Sequence, residues 1–352
     1  MPRIPSLALA TAGIVALAAC SDRNPLTTQN APAAPADNAA AQHLGIVPLR
    51  GTVPLRFNNG NELNHGNAGT TNGGLTQAGI NYHGGPVLQN ATNVAAVYWA
   101  SSTIYAGGPT PGATGSGSSD GSLVGFFLNH VGGSPYFNIN TSYTDGSGTA
   151  IRNVVNYTQF WANNSYNVPS GKTRVSDANM VAMLQYAFNN GKLTYDPNTL
   201  YAIFTQGTVN LGGGFGTQYC AYHTHGTVTI NGVSKTVLYA AMPDDYAHAS
   251  ACSSGLASPN SDLHANAEVS TLIHEIEETT TDEMGNAWYD SQGYENADKC
   301  AWTWGTTYTT SNGGVANVNL GGKDNITAVL IRIEEGEEPW SIRTPHSSAP
   351  DL

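Results

Sequence analysis

Charge is what this 352-residue chain has least of: 11% of its residues are Asp, Glu, Lys or Arg, against about 25% in an ordinary soluble domain. Only 13 of them are basic, scattered along the sequence, and the net charge is −12. Phosphate backbones need clustered cations, so nucleic-acid binding is excluded. Long apolar runs are missing too. The longest, residues 4–19, is 16 residues, short of the about 20 that span a bilayer. A serine-hydrolase turn is set aside: the Gly-x-Ser-x-Gly match at 117–121 lies in a Gly- and Ser-rich stretch, and Gly-Ser-Gly-Ser at 115–118 reads as a flexible loop. There is no repeat of 20 to 50 residues and no heptad pattern. Cysteine is limited to four positions.

Glycine is plentiful, 40 residues or about 11% against a usual 7%. Together with abundant Asn, Thr and Ser it indicates a secreted, turn-rich protein. Residues 1–19 carry one basic side chain, Arg3, and then the apolar run, as a signal peptide does. The run ends in Leu17-Ala18-Ala19-Cys20, which resembles a bacterial lipobox. Lipidation at Cys20 would anchor the mature chain in the cell envelope, its only membrane contact; a plain signal peptide and an extracellular protein are the alternative. Residues 20–77, rich in Ala, Pro, Asn, Thr and Gly, read as a low-complexity tether. The folded domain is expected over 78–325.

Within it strands and helices mix. Residues 92–100, 200–205 and 236–242 are buried-strand types of run. Residues 176–191 read as a helix capped by Ser176 and stopped at Gly191, with Met180, Met183, Leu184, Ala187 and Phe188 on one face. A second helix is expected over 119–132. A third runs from an Asp262 cap to about Thr281 and contains His274-Glu275-Ile276-Glu277-Glu278. The expected fold is a single mixed α+β domain with a zincin-like HExxE helix.

That third helix carries the chemistry. Residues four apart share a helix face, so His274 and Glu278 present an imidazole and a carboxylate side by side, and Asp282 continues the face. Glu275, one step around, stands where the general base of a zinc peptidase meets metal-bound water. A catalytic metal takes about three protein ligands. Glu295 is expected as the third, with Asp298 orienting a ligand, as in the gluzincin pattern that this spacing resembles. His223 and His225 are alternative ligands, of which at most one reaches the ion; His264 is another. One imidazole with two carboxylates is a harder set than zinc usually takes; zinc is expected first from the zinc-peptidase pattern, with calcium or manganese as alternatives. The opposing reading is that Glu275, Glu277, Glu278 and Glu283 form a solvated acidic face.

Four segments, INYHGGPVL from Ile80, FFLNHVGGSPYFNINTSY, YCAYHTHGT and HEIEETTTDEMGNAWYDSQGYENADKCAWTWGTTY, resemble the EXORDIUM or phosphate-induced protein 1 family over about residues 80–322. The resemblance implies a secreted protein. Plant members are cell-wall proteins without an established activity, whereas microbial members carry the HExxE helix followed by Thr-Asp, Trp-Tyr-Asp and Glu-x-x-Asp-x-Cys segments, here at 281–282, 288–290 and 295–300. Of the three pairs open to Cys220, Cys252 and Cys300, the resemblance implies Cys220 with Cys252, because microbial relatives carry cysteines where this chain has Gly216 and Tyr246. It leaves the pairing of Cys300 open. Residues 326–352 do not match the family's usual ending.

Two functions follow. One is an envelope-anchored or extracellular metal-dependent hydrolase, peptidase-like, acting on a peptide or cell-wall polymer. The other is a non-catalytic surface protein in adhesion or signalling, binding wall carbohydrate through Trp99, Tyr136, Trp161, Tyr166, Trp302 and Trp304, with a structural metal or none.

Overall fold

The computed structural model describes residues 45–51, 56–58, 62–64 and 79–329. The leader, Cys20 and the chain from residue 330 lie outside them. Seven strands form the main sheet: β1 (Gly45–Pro48), β2 (Thr92–Trp99), β3 (Thr114–Ser116), β4 (Val155–Asn163), β5 (Thr199–Phe204), β6 (Tyr219–Ile230) and β7 (Val233–Met242). Their order is β1-β6-β7-β5-β2-β4-β3. The four inner strands β7, β5, β2 and β4 are parallel, and antiparallel strands close both edges. Parallel strands buried on both faces need unbroken apolar runs, which is why residues 92–100, 200–205 and 236–242 were legible. β6 and β7 join through Asn231-Gly232, both at positive φ (51° and 77°), the backbone that a two-residue hairpin loop of the primed type demands.

Three long helices pack on this sheet. The first, α1 (Leu123–Val131), is capped by Ser122, which accepts from Gly125 N. The second, α2 (Asp177–Asn189), begins with a capping box between Ser176 and Asn179. The third, α3 (Leu263–Thr281), is capped by Asp262, which accepts from Ala265 N. The starts of α2 and α3 agree with the capping residues read from sequence, because a short polar side chain there satisfies an amide the helix leaves orphaned; α1 starts four residues later than the expected 119. No helix among the described residues is long and apolar enough to cross a membrane.

Alternation along β6 sorts the two faces of the sheet. Tyr222 Oη donates to Asp177 of α2 at 2.8 Å, while His223, the next residue, turns to Glu275 of α3 at 3.1 Å. The core between the layers is filled by Trp99, Trp161, Phe127, Phe204, Tyr201 and Leu128, all at most 1% exposed. Each buried side chain of this size contributes about 1.5–3 kcal/mol. Trp99, Tyr136 and Trp161 are therefore packing residues, with no face turned outward for a sugar.

Three expectations change. The tether read over 20–77 contains β1, buried throughout and paired with β6; four residues amid low complexity are too few for a periodic signal. Thr114–Ser116, which overlaps the stretch 115–118 read as a flexible loop, is an edge strand on β4. The divergent tail begins inside the domain: Ala328 O accepts from Tyr136 Oη at 2.8 Å, and Val329 is 7% exposed.

Cys220 and Cys252 are joined as the resemblance implied, closing a sequence separation of 32 residues and tying the start of β6 to the turn at Ala249–Cys252. Reduction of this link is expected to cost about 3–4 kcal/mol, read as a fall in melting temperature with dithiothreitol.

Candidate metal centre

Helix α3 is anomalous. Every residue from 265 to 281 is buried, yet the helix carries Glu268, Glu275, Glu277 and Glu278, each 0% exposed. A solvated acidic face is therefore ruled out. Burying an unpaired carboxylate is costly, so each needs an explanation. Glu277 accepts from Asn140 Nδ2. Glu268 lies near Asp245, whose backbone N–H approaches it at 3.5 Å and whose Oδ2 accepts from Thr271 at 2.5 Å.

Burial pushes both the Asp245 and Glu268 carboxyls well up, with the charge of Asp244 adding at both and that of Asp245 adding at Glu268. Unfolded, they ionise near pH 4; folded, they hold their protons to higher pH, so stability falls as pH rises through that window. Glu268→Gln removes one of these titrations. It is expected to raise the melting temperature by about 2–4 °C at pH 8 and to leave it unchanged at pH 4, as thermal melts at the two pH values will show.

Glu275 and Glu278 converge with groups from two other parts of the chain. His223 comes from β6, its Nδ1 lying 3.1 Å from Glu275 Oε2 and 3.6 Å from Glu278 Oε2. His274 Nε2 lies 2.8 Å from Glu278 Oε1 and 3.7 Å from Asp298 Oδ1. The two oxygens of Glu278 thus face one imidazole each. Glu295 Oε1 approaches His223 Nε2 at 3.9 Å. Among the described residues three sets of side chains have ligand atoms close enough together to hold a metal ion: His274, Glu278 and Asp298; His223, Glu275 and Glu278; and Asp245 with Cys220 and Cys252, whose sulfurs are already joined to each other.

Local backbone rules deliver the last two carboxylates. Asp282 Oδ1 accepts from Asn286 N at 2.5 Å and Ala287 N at 2.7 Å, turning the chain back after α3. Asp290 Oδ1 accepts from Gln292 N and Tyr294 N, and its Oδ2 holds the buried Lys299 ammonium at 2.8 Å. The turn so shaped is fastened to the helix by Asp298 N, which donates to Glu278 Oε1 at 3.2 Å, and closed on itself by Glu295 N donating to Asp298 Oδ2 at 3.1 Å.

The cluster has the chemistry of groups that could hold a cation. His223 Nε2, His274 Nε2, Glu275 Oε1, Glu278 Oε2, Glu295 Oε1 and Asp298 Oδ1 are all buried without a hydrogen-bond partner. Even at 2.8 Å the His274–Glu278 approach is no hydrogen bond. Orphaned buried polar atoms are rare in native proteins, and an ion is one of the few things that explains them. Burial lowers His223 to about 3, with His274 adding to the effect, and lowers His274 to about 4 despite Asp298. Both rings are neutral near pH 7, the form that ligates. Burial first and mutual repulsion second push Glu275 and Glu295 up; burial is likewise the main cause at Glu278 and Asp298.

The placement differs from expectation in two respects. Asp298, expected to orient a ligand, completes the group around His274 and Glu278, whereas Glu295 lies on the His223 side. His223 is the second imidazole, so the donor set contains two nitrogens. His225 shares its strand face but sits about 6.7 Å further along and joins neither group. His264 pairs with Asp244 at 2.8 Å instead. Asp282 serves the turn. Gly45 was missed altogether: a methyl group there would fall 2.0 Å from His223 Cε1 and 2.5 Å from Glu278 Oε2, so only glycine fits. Nothing in the sequence around residue 45 signals this, while the Tyr-, Thr- and Val-rich run around His223 does mark a strand.

A family model described as the phosphate-induced protein 1 conserved region matches residues 129–327. No curated protein and no solved structure matches the chain. The match runs from the last turn of α1 almost to the end of the described chain and includes His223, His274, Glu275, Glu278, Glu295 and Asp298. The chain belongs to that family.

Proposed function

We propose that this member of the phosphate-induced protein 1 family is a metal-dependent hydrolase of the peptidase type, working in the cell envelope or outside the cell. The observation that carries the reading is the set of six buried ligand-type atoms without hydrogen-bond partners around Glu278. Two neutral imidazoles with carboxylates suit zinc better than the one-histidine set read from sequence, since calcium takes oxygen ligands alone. His274, Glu278 and Asp298 would hold the ion, with His223 and Glu295 beside them. A divalent ion so held supplies a Lewis acid for a carbonyl oxygen.

The chain's own groups do the rest. Glu275 sits next to the ligands with one oxygen taken by His223 and the other without a partner. Its buried surroundings, with Glu278 beside it, raise its proton affinity well above that of a free carboxylate, the direction that suits a general base. His223, donating from Nδ1, fixes the orientation of that carboxylate. The lipid anchor at Cys20 and export across the inner membrane complete the proposal and rest on residues 1–20 of the sequence.

Metal analysis of the purified protein tests it: bound divalent metal is expected, lost in His274→Ala. A metal-free wild-type protein overturns the reading.

A further inference from the structure

None of the six cluster residues is more than 5% exposed, so a polymer has no path to them in this conformation. The element lying over them is β1. Its first residue, Gly45, pairs with His223 in an antiparallel ladder, followed by Ile46 with Tyr222 and Val47 with Ala221. Gly45 presses against His223 and Glu278 so closely that no side chain fits. The Val47 backbone donates toward the carboxylate of Glu275, the proposed base. A length of extended polypeptide already lies along the groups that would act on one.

We propose that the place beside β6 now filled by Gly45–Pro48 is the substrate groove of this site: it takes an extended polypeptide, antiparallel to β6, with glycine opposite His223. This rests on the hydrolase reading and names its substrate class. An edge strand offers a row of backbone donors and acceptors that any extended peptide can pair with, while side-chain pockets supply selectivity. Here the pockets are legible from the occupant. Ile46 and Val47, 2% and 3% exposed, mark two apolar positions following the glycine, so the preferred stretch reads Gly-apolar-apolar. The occupant is held mainly from its far end. Trp302 Nε1 donates to Pro48 O at 2.7 Å, and Arg50 bonds the turn behind β6 through its N–H to Ala251 O at 2.7 Å and its guanidinium to Ser250 O at 2.8 Å. In the intact chain β1 therefore competes with substrate as an intramolecular ligand, at the high effective concentration that covalent linkage provides.

The test uses the full chain with a recognition sequence for a site-specific protease inserted after Asn67, before and after cutting. A fluorescent peptide of residues 44–51, LGIVPLRG, is followed by anisotropy. The cut chain is expected to take it up saturably and the intact chain not to. The same peptide with valine in place of glycine is expected to bind at least about tenfold more weakly, the size of effect an overpacked contact produces. No uptake by the cut chain, or equal uptake of both peptides, overturns the inference. Metal content measured on the same samples separates the two readings: a metal-loaded protein that ignores the peptide sinks the groove alone, while a metal-free one sinks the hydrolase. As a second measurement, Gly45→Val in the full chain is expected to lose its metal to a chelator at least about tenfold faster than wild type, with its far-ultraviolet circular dichroism unchanged. An unchanged rate also overturns the proposal.

Discussion

Zinc added to chelator-stripped protein is expected to raise the melting temperature by on the order of 10 °C, and by more at pH 8 than at pH 6. An ion that binds only the folded state at about a thousand times its Kd stabilises it by about 4 kcal/mol, and each kcal/mol moves a domain of this size by about 2–4 °C. The pH dependence comes from the carboxylates. Glu278 and Asp298, the proposed carboxylate ligands, hold protons above the usual carboxylate range because they are buried, and an ion must displace them. Raising the pH removes that competition. It also weakens the metal-free fold, because a group whose folded pKa lies above its unfolded value loses its stabilising contribution as pH rises. His223 and His274, lowered to about 3 and 4, stay neutral at both pH values and contribute nothing to the difference. Scanning fluorimetry with and without zinc at the two pH values measures it; a gain no larger at pH 8 contradicts the assignment of these carboxylates as ligands.

The second large effect is on turnover. Glu275→Gln is expected to keep the metal and to reduce hydrolysis of casein by about 10²–10⁴-fold relative to wild type prepared the same way, the usual worth of a general base. The glutamine still accepts from His223 but has no use for a substrate's or water's proton. Glu277→Gln is the informative neighbour. It lies on the same buried helix but faces Asn140, so turnover should survive. Equal losses in both variants would mean that the helix is merely perturbed, and would remove Glu275 from its role.

Much of this was legible because its causes are local. Ser176 and Asp262 announce α2 and α3 through hydrogen bonds made within three residues, and the four-residue spacing of His274 and Glu278 follows from helix geometry. The apolar runs of β2, β5 and β7 are read directly from the sequence. What stayed hidden depends on distant partners. The choice between Asp298 and Glu295 is made by a turn that Asp290 and Glu278 shape. The burial of α3 depends on β1 and β6 covering it, and a strand of four residues carries no mark of the strand it will join. The acidic composition of α3 pointed to solvent, whereas its surroundings make it interior.

The order of the chain also sets the order of events in its making. Gly45 must wait for His223, and both wait for Asp298, which follows them in sequence. Contacts between such distant residues form late, because the intervening chain must be closed into a loop first. As residues emerge one by one, β1 precedes the strand it pairs with, and the cluster around Glu278 cannot assemble until Glu295 and Asp298 have been delivered. An ion bound as proposed would therefore be taken up where the completed chain folds, so that the metal content at that place would decide what the cluster holds.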